Sequence, residues 1–145
     1  MTGKIYIVDV TNRDGVQTAK LGLSKIEKTM INLYLNEIGI YQSEFGFPTT
    51  THESRYLQAN AELAEMGVLK PIRLGGWIRA TAEDVETAFK LVPNIRHLNL
   101  SVSTSEQMIV GKFQGRKSKV DIIKMMVEAV DAAIQLGTES IGVNA

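Results

Sequence analysis

Five short segments rich in β-branched and apolar residues alternate with four stretches of helical periodicity, and this alternation limits the chain to an α/β fold built on a parallel sheet. The strand-like segments are residues 4–10, 40–45, 72–78, 95–102 and 139–143. Their near-continuous apolarity suits strands covered on both faces. The first helix opens at Ser24, with Glu27 three residues on as a capping box. Ile26, Met30, Leu33, Tyr34 and Ile38 mark its apolar face, and Gly39 stops it. The second is expected over residues 52–66, with Leu57, Ala61 and Ala64 on one side and Gly67 as its stop. The third starts at Thr81, buries Val85, Ala88 and Phe89, and ends before Pro93. The fourth starts at Ser118 with Asp121, carries Ile122, Met125, Met126, Ala129, Val130 and Ala133, and stops at Gly137.

Right-handed crossovers leave two closures, an open doubly wound sheet or a (β/α)8 barrel. The unit repeats at roughly 33 residues, so the chain holds about four and a half units of a barrel that needs about 250 residues. Residues 111–117 lack a Walker spacing and read as a solvated loop. Lys112, Arg116, Lys117 and Lys119 form a basic run there that reads as solvated.

A length of 145 residues with 44% apolar content fits one domain. Sixteen basic and sixteen acidic side chains argue against a nucleic-acid or anionic-membrane binder held by charge. With no cysteine there is no disulfide, thiolate nucleophile or Cys-ligated metal. No apolar run reaches the roughly 18 residues that span a bilayer, and no secretory signal is evident, so a cytoplasmic chain is expected.

Unusual polar residues cluster after the strands, where active sites of both architectures lie. The run from Asp9 to Gln17, Asp-Val-Thr-Asn-Arg-Asp-Gly-Val-Gln, is the most informative. Arg13 offers a planar five-donor fork for an oxyanion or carboxylate, and Asp14 a hard ligand for a divalent metal. The same pair could equally be an ion pair closing the rim.

This run resembles the signature of the metal-dependent Claisen-condensing (β/α)8 barrels, the homocitrate, isopropylmalate and citramalate synthases with related lyases. Three further segments match in order: Glu44-Phe45-Gly46-Phe47-Pro48, Trp77-Ile78-Arg79-Ala80 and the stretch from His97 to Glu106. Ile141 to Ala145 is similar to the fifth strand. The third-strand segment is most similar to nitrogen-fixation homocitrate synthases.

The resemblance implies that residues 1–145 are the N-terminal half of a pyruvate-carboxyltransferase-like barrel. It implies an acyltransferase that condenses acetyl-CoA with 2-oxoglutarate through an enolate and a metal-bound oxo acid. The metal would be Mg, Mn or Zn, with Asp14 as a ligand. Arg13 would stabilise the enolate oxygen, and Glu44 and Gln17 would orient Arg13 and the substrate. Arg79 would face the distal carboxylate of the oxo acid, and Ser101, Ser103 and Thr104 would supply hydroxyl contacts. The partners would be the oxo acid, acetyl-CoA, and a second barrel half or a further copy of the chain. A sister synthase or lyase on the same scaffold is the alternative, as is a non-catalytic truncated barrel.

Some positions depart from the pattern. Asn12 stands where the motif usually carries Leu, Val16 where it often carries Glu, and Met108 where isopropylmalate synthases commonly have histidine. The second and third metal ligands of the family form a His-x-His pair, whereas this chain has only His52 and His97. His97 begins the fourth strand and reads as a structural residue, and His52 falls in the loop after the second.

Overall fold

A computed structural model describes residues 3–145. Five parallel strands form one sheet in the order β1 (Val8–Asp9), β2 (Gln42–Gly46), β3 (Arg73–Arg79), β4 (His97–Ser101) and β5 (Ser140–Asn144). The connecting helices are α1 (Lys25–Ile38), α2 (Thr51–Glu65), α3 (Ala82–Leu91), α4 (Glu106–Phe113) and α5 (Lys119–Gln135). A doubly wound sheet reverses its strand order midway so that helices cover both faces. Here each strand pairs with its successor, so the right-handed crossovers stack every helix on one side. The result is half of a TIM barrel, and the open-sheet alternative falls.

Local chemistry sets the helix ends. Ser24 and Ser118 each close a capping box, accepting from the backbone N–H of Glu27 and Asp121 while those carboxylates accept from the serine N–H. The Ser24 hydroxyl holds the Glu27 carboxyl below the usual range, and the Ser118 N–H does the same for Asp121. Gly39, at φ 86°, takes the left-handed conformation that ends α1. The core lies between sheet and helices, where Phe45, Leu57, Ile78, Val85, Leu98 and Leu100 are buried.

Three features differ from the pattern in the sequence. Only Val8–Asp9 of residues 4–10 pairs as strand; Ile5 and Ile7 are 87% and 59% exposed, because this edge has no neighbour beyond it. The expected solvated loop begins inside α4, which Ser105 caps by accepting from Met108 N; Gly111 is tolerated near the helix end, and Gln114 and Gly115 make the turn. Of the apolar face expected on α1, only Leu33 packs against the core. Ile26 and Ile38 are 69% and 73% exposed with Met30 and Tyr34 beside them, while Lys28 and Asn32 are buried. A single apolar stripe does not reveal which neighbour covers it, and in this half-barrel α1 is an end helix.

His97 sits at the start of β4, and its Nδ1 lies 2.8 Å from Ser140 Oγ. Burial lowers its pKa below the ordinary 6.5, so folding favours the neutral ring. That contribution is fully present above pH 6.5 and is lost as pH falls through the depressed folded value. Thermal melts between pH 7.5 and 5 should therefore lose stability on acidification, with a smaller loss in His97→Gln. An identical pH slope in the variant contradicts this assignment.

Candidate active site

Backbone geometry places the Asp9–Gln17 run at the carboxyl end of β1. Asp9 accepts from Thr11 N and Oγ1, and the carbonyl of Val10 accepts from the N–H groups of Arg13, Asp14 and Gly15. The turn carries Arg13 inward over the mouth of the half-barrel, and a 3-10 turn at Gly15–Gln17 follows.

The mouth is an open cleft of about 710 Å³, lined on its polar side by Arg13, Glu44, Asn99, Ser101 and Asn144. Glu44 is 4% exposed, and a carboxylate so enclosed needs partners. Its Oε2 accepts from Arg13 Nε at 3.0 Å and Nη2 at 2.9 Å, and its Oε1 accepts from Asn99 Nδ2 at 2.6 Å. Asn99 Oδ1 accepts from Gln42 Nε2 at 3.3 Å. The Arg13 guanidinium stacks over Trp77, 4.8 Å from the ring centroid, and Trp77 leans on Phe47. A polar chain, Arg13–Glu44–Asn99–Gln42, thus crosses the inner face from β1 to β4.

Two glycines make room for it. A Cβ on Gly75 would sit 2.6 Å from Gln42 Nε2, and one on Gly142 would collide with Asn99 Oδ1. Asn99 and Gln42 were not singled out in the sequence. The available signal was an amide within the strand-four segment and another two residues before Glu44, beside glycines on neighbouring strands.

Of the other candidate residues, only Ser101 lines the cleft among the described residues. Asp14 is exposed and accepts from Arg13 Nη1 at 2.8 Å, so the rim ion pair forms. Ser103 and Thr104 lie past the end of β4, and Gln17 is exposed on the 3-10 turn. Arg79 is bound by Asp84 of α3, through Nε at 2.8 Å and Nη2 at 2.6 Å. Its Nη1 is left for another partner, and the Asp84 carboxylate holds its pKa above the ordinary value. His52 is exposed in the first turn of α2. A second crevice, about 390 Å³, opens at the opposite end of the sheet and contains none of these groups.

Among the described residues, no three His, Asp or Glu side chains come together to hold a metal ion. Glu44 is committed to Arg13 and Asn99. Asp14 offers one hard carboxylate donor at the rim, of the kind a divalent cation takes.

Gly142→Ala should push Asn99 off Glu44 and leave a buried carboxylate short of one donor, costing about 1–3 kcal/mol. Denaturant unfolding of Gly142→Ala beside the exposed control Gly111→Ala checks this, and equal midpoints would contradict it.

The sequence matches the HMGL-like family over residues 4–144. It is 67% identical over 143 residues to the citrate (Re)-synthase of Dehalococcoides mccartyi, covering 99% of this chain and 34% of that protein. It is 35% identical to 2-isopropylmalate synthase 2 of Caldanaerobacter subterraneus, with 92% and 33% covered. It is 31% identical to the homocitrate synthase alpha subunit of Clostridium pasteurianum, with 68% and 35% covered. The chain thus spans about a third of the length of these relatives. Among solved structures, the HMG-CoA lyase of Bacillus subtilis superposes with a TM-score of 0.66 at 18% identity, covering 97% of this chain and 46% of that one. Half-barrel, motif order and sequence agree, and the chain belongs to the HMGL-like family.

Proposed function

We propose that this chain is the N-terminal half of the (β/α)8 barrel of a Claisen-condensing acyltransferase whose acceptor is a 2-oxo dicarboxylate and whose product is citrate. The observation that carries the reading is the Arg13 fork. Three of its five N–H donors are fixed by Glu44 and Asp14, which leaves two uncommitted on a side chain that lines the mouth. A pre-set cationic fork beside a cleft is the arrangement that stabilises an enolate oxygen. The acetyl methyl of acetyl-CoA would give a proton to a base from outside these residues, and the enolate carbon would bond to the ketone carbon as the C=O electron pair moves to oxygen. That oxygen would take up a proton as the hydroxyl of the product, and water would cleave the thioester to release coenzyme A as its thiol. Removing an acetyl unit from citrate leaves oxaloacetate, and the 67% identity to a citrate (Re)-synthase supports that acceptor.

Arg79, with Nη1 uncommitted, suits the distal carboxylate of such an acid. It suits 2-oxoglutarate equally, so a homocitrate-forming enzyme is the second reading, ahead of the monocarboxylate acceptors of the sister synthases. Ser101, and from the loop beyond it Ser103 and Thr104, are the hydroxyl contacts, and Gln17 lies on the turn behind Arg13. Asp14 supplies one ligand of a divalent metal whose chemistry is to polarise the 2-oxo group. The remaining ligands come from outside these residues. The exposed β1 edge, the β5 edge and the bare stripe of α1 are the surfaces that the rest of the barrel covers.

The complete protein, given acetyl-CoA, a divalent metal and each 2-oxo acid in turn, should turn over fastest with oxaloacetate. Arg13→Lys should lower kcat by about 10²-fold with little change in the KM of the oxo acid, because a point charge replaces the fork. Arg79→Ala should instead raise the KM of the dicarboxylate by about tenfold or more. No condensation with any oxo acid from a folded sample would leave a family scaffold without the chemistry.

A further inference from the structure

Behind the mouth, on the helix side of the sheet, lies a buried amide network. Asn12, Asn32 and Asn60 are each fully buried, with Ser43 among them. Asn12 Nδ2 donates to the carbonyl of Lys28 and to Asn32 Oδ1, both at 2.9 Å. Asn32 Oδ1 also accepts from Ser43 Oγ at 3.0 Å, and Asn32 Nδ2 donates to Tyr56 Oη and Asn60 Oδ1 at 3.0 Å. Asn60 Nδ2 returns to Thr29 Oγ1 and to the carbonyl of Tyr56. Burial pushes the Tyr56 phenol well above its ordinary pKa, so it stays neutral here.

Stability alone does not account for this network. Asn12 Oδ1 is buried without a partner, a cost of about 1–3 kcal/mol that an apolar side chain of the same shape would avoid. What the network does fix is two backbone positions. Asn12 precedes Arg13, and Ser43 precedes Glu44. In β2 neighbouring side chains point to opposite faces, so anchoring Ser43 behind the sheet presents Glu44 in front of it, and the turn after β1 sends Asn12 to α1 while Arg13 reaches Glu44. A second strut joins the same helices. Lys28, whose carbonyl receives Asn12, places its ammonium on Glu53 at 2.5 Å and over the Tyr56 ring. Glu53 accepts in turn from Phe47 N, just past β2. A Cβ on Gly46 would strike Glu53 and Leu57, at 2.8 and 2.9 Å.

We propose that Asn12, Asn32 and Asn60 are positioning residues, which hold the Arg13–Glu44 pair at the mouth by anchoring the residue before each partner to α1 and α2. The inference rests on the acyltransferase reading and adds residues that touch no substrate.

Asn12→Leu is the informative variant. It removes the orphaned acceptor and keeps Asn32 bonded to Ser43, Tyr56 and Asn60. In the complete protein its thermal midpoint should stay within a few degrees of the parent, while kcat falls about tenfold or more and KM stays within about twofold. Proton exchange at Arg13 Nε, followed by NMR, should speed up as its bond to Glu44 loosens. A purely structural role predicts the reverse, a lowered midpoint with kcat and Nε exchange unchanged, and that result overturns the proposal. Should Asn12→Leu fail to fold, Ser43→Ala removes one hydroxyl from the same network and is read by the same three measurements. If the parent protein condenses nothing, the function proposed above falls, and Nε exchange still decides whether the network sets Arg13.

Discussion

A buried carboxylate governs the inner face of this half-barrel. Glu44 has almost no access to water, so its charge is tolerable only where a cation and a neutral donor meet it. Arg13 arrives from the turn after β1 and Asn99 from β4, and the two occupy both oxygens. The glycines at 75 and 142 follow from that requirement, because any side chain there would take the space of Gln42 or Asn99. The aromatic floor of Trp77 and Phe47 then excludes water beneath the guanidinium and strengthens the pair.

The two faces of the sheet use polar groups differently. The inner face keeps charges at the mouth, where a ligand can reach them. The outer face buries neutral amides, with the Lys28–Glu53 ion pair beside them, among α1, α2 and β2, where they lock geometry. Between these layers the apolar core is ordinary, and the cost of the polar groups is concentrated around one loop. That loop is the Asp9–Gln17 run, and both layers act on it within two adjacent residues.

The ends of the half-barrel carry a different burden. The apolar residues of β1 and the stripe Ile26, Met30, Tyr34 and Ile38 are exposed, and Val120, Ile123 and Val127 of α5 are exposed as well. These are the apolar surfaces that the proposed second half of the barrel would cover. Both stripes flank the open edges of the sheet, and the chain matches only a third of relatives that run much longer.

The alternation of elements, the capping boxes at Ser24 and Ser118, and the stops at Gly39 and Gly137 were legible because they depend on contacts within four residues. The Arg13-Asp14 motif was legible because one turn after one strand presents it. Local order misled at α4, where a polar run looked like a solvated loop, and at α1, where an apolar stripe looked like a core face. The sequence determined that the chain forms parallel strand–helix units with its polar residues at their carboxyl ends. Only the tertiary structure decided which way α1 faces, that Arg13 pairs with Glu44 thirty-one residues away, and that three distant asparagines share one buried network. The physical reason is range: hydrogen bonds and helical turns are written between near neighbours. Burial, and the pairing that buried polar groups demand, belong to residues that meet only when the sheet closes.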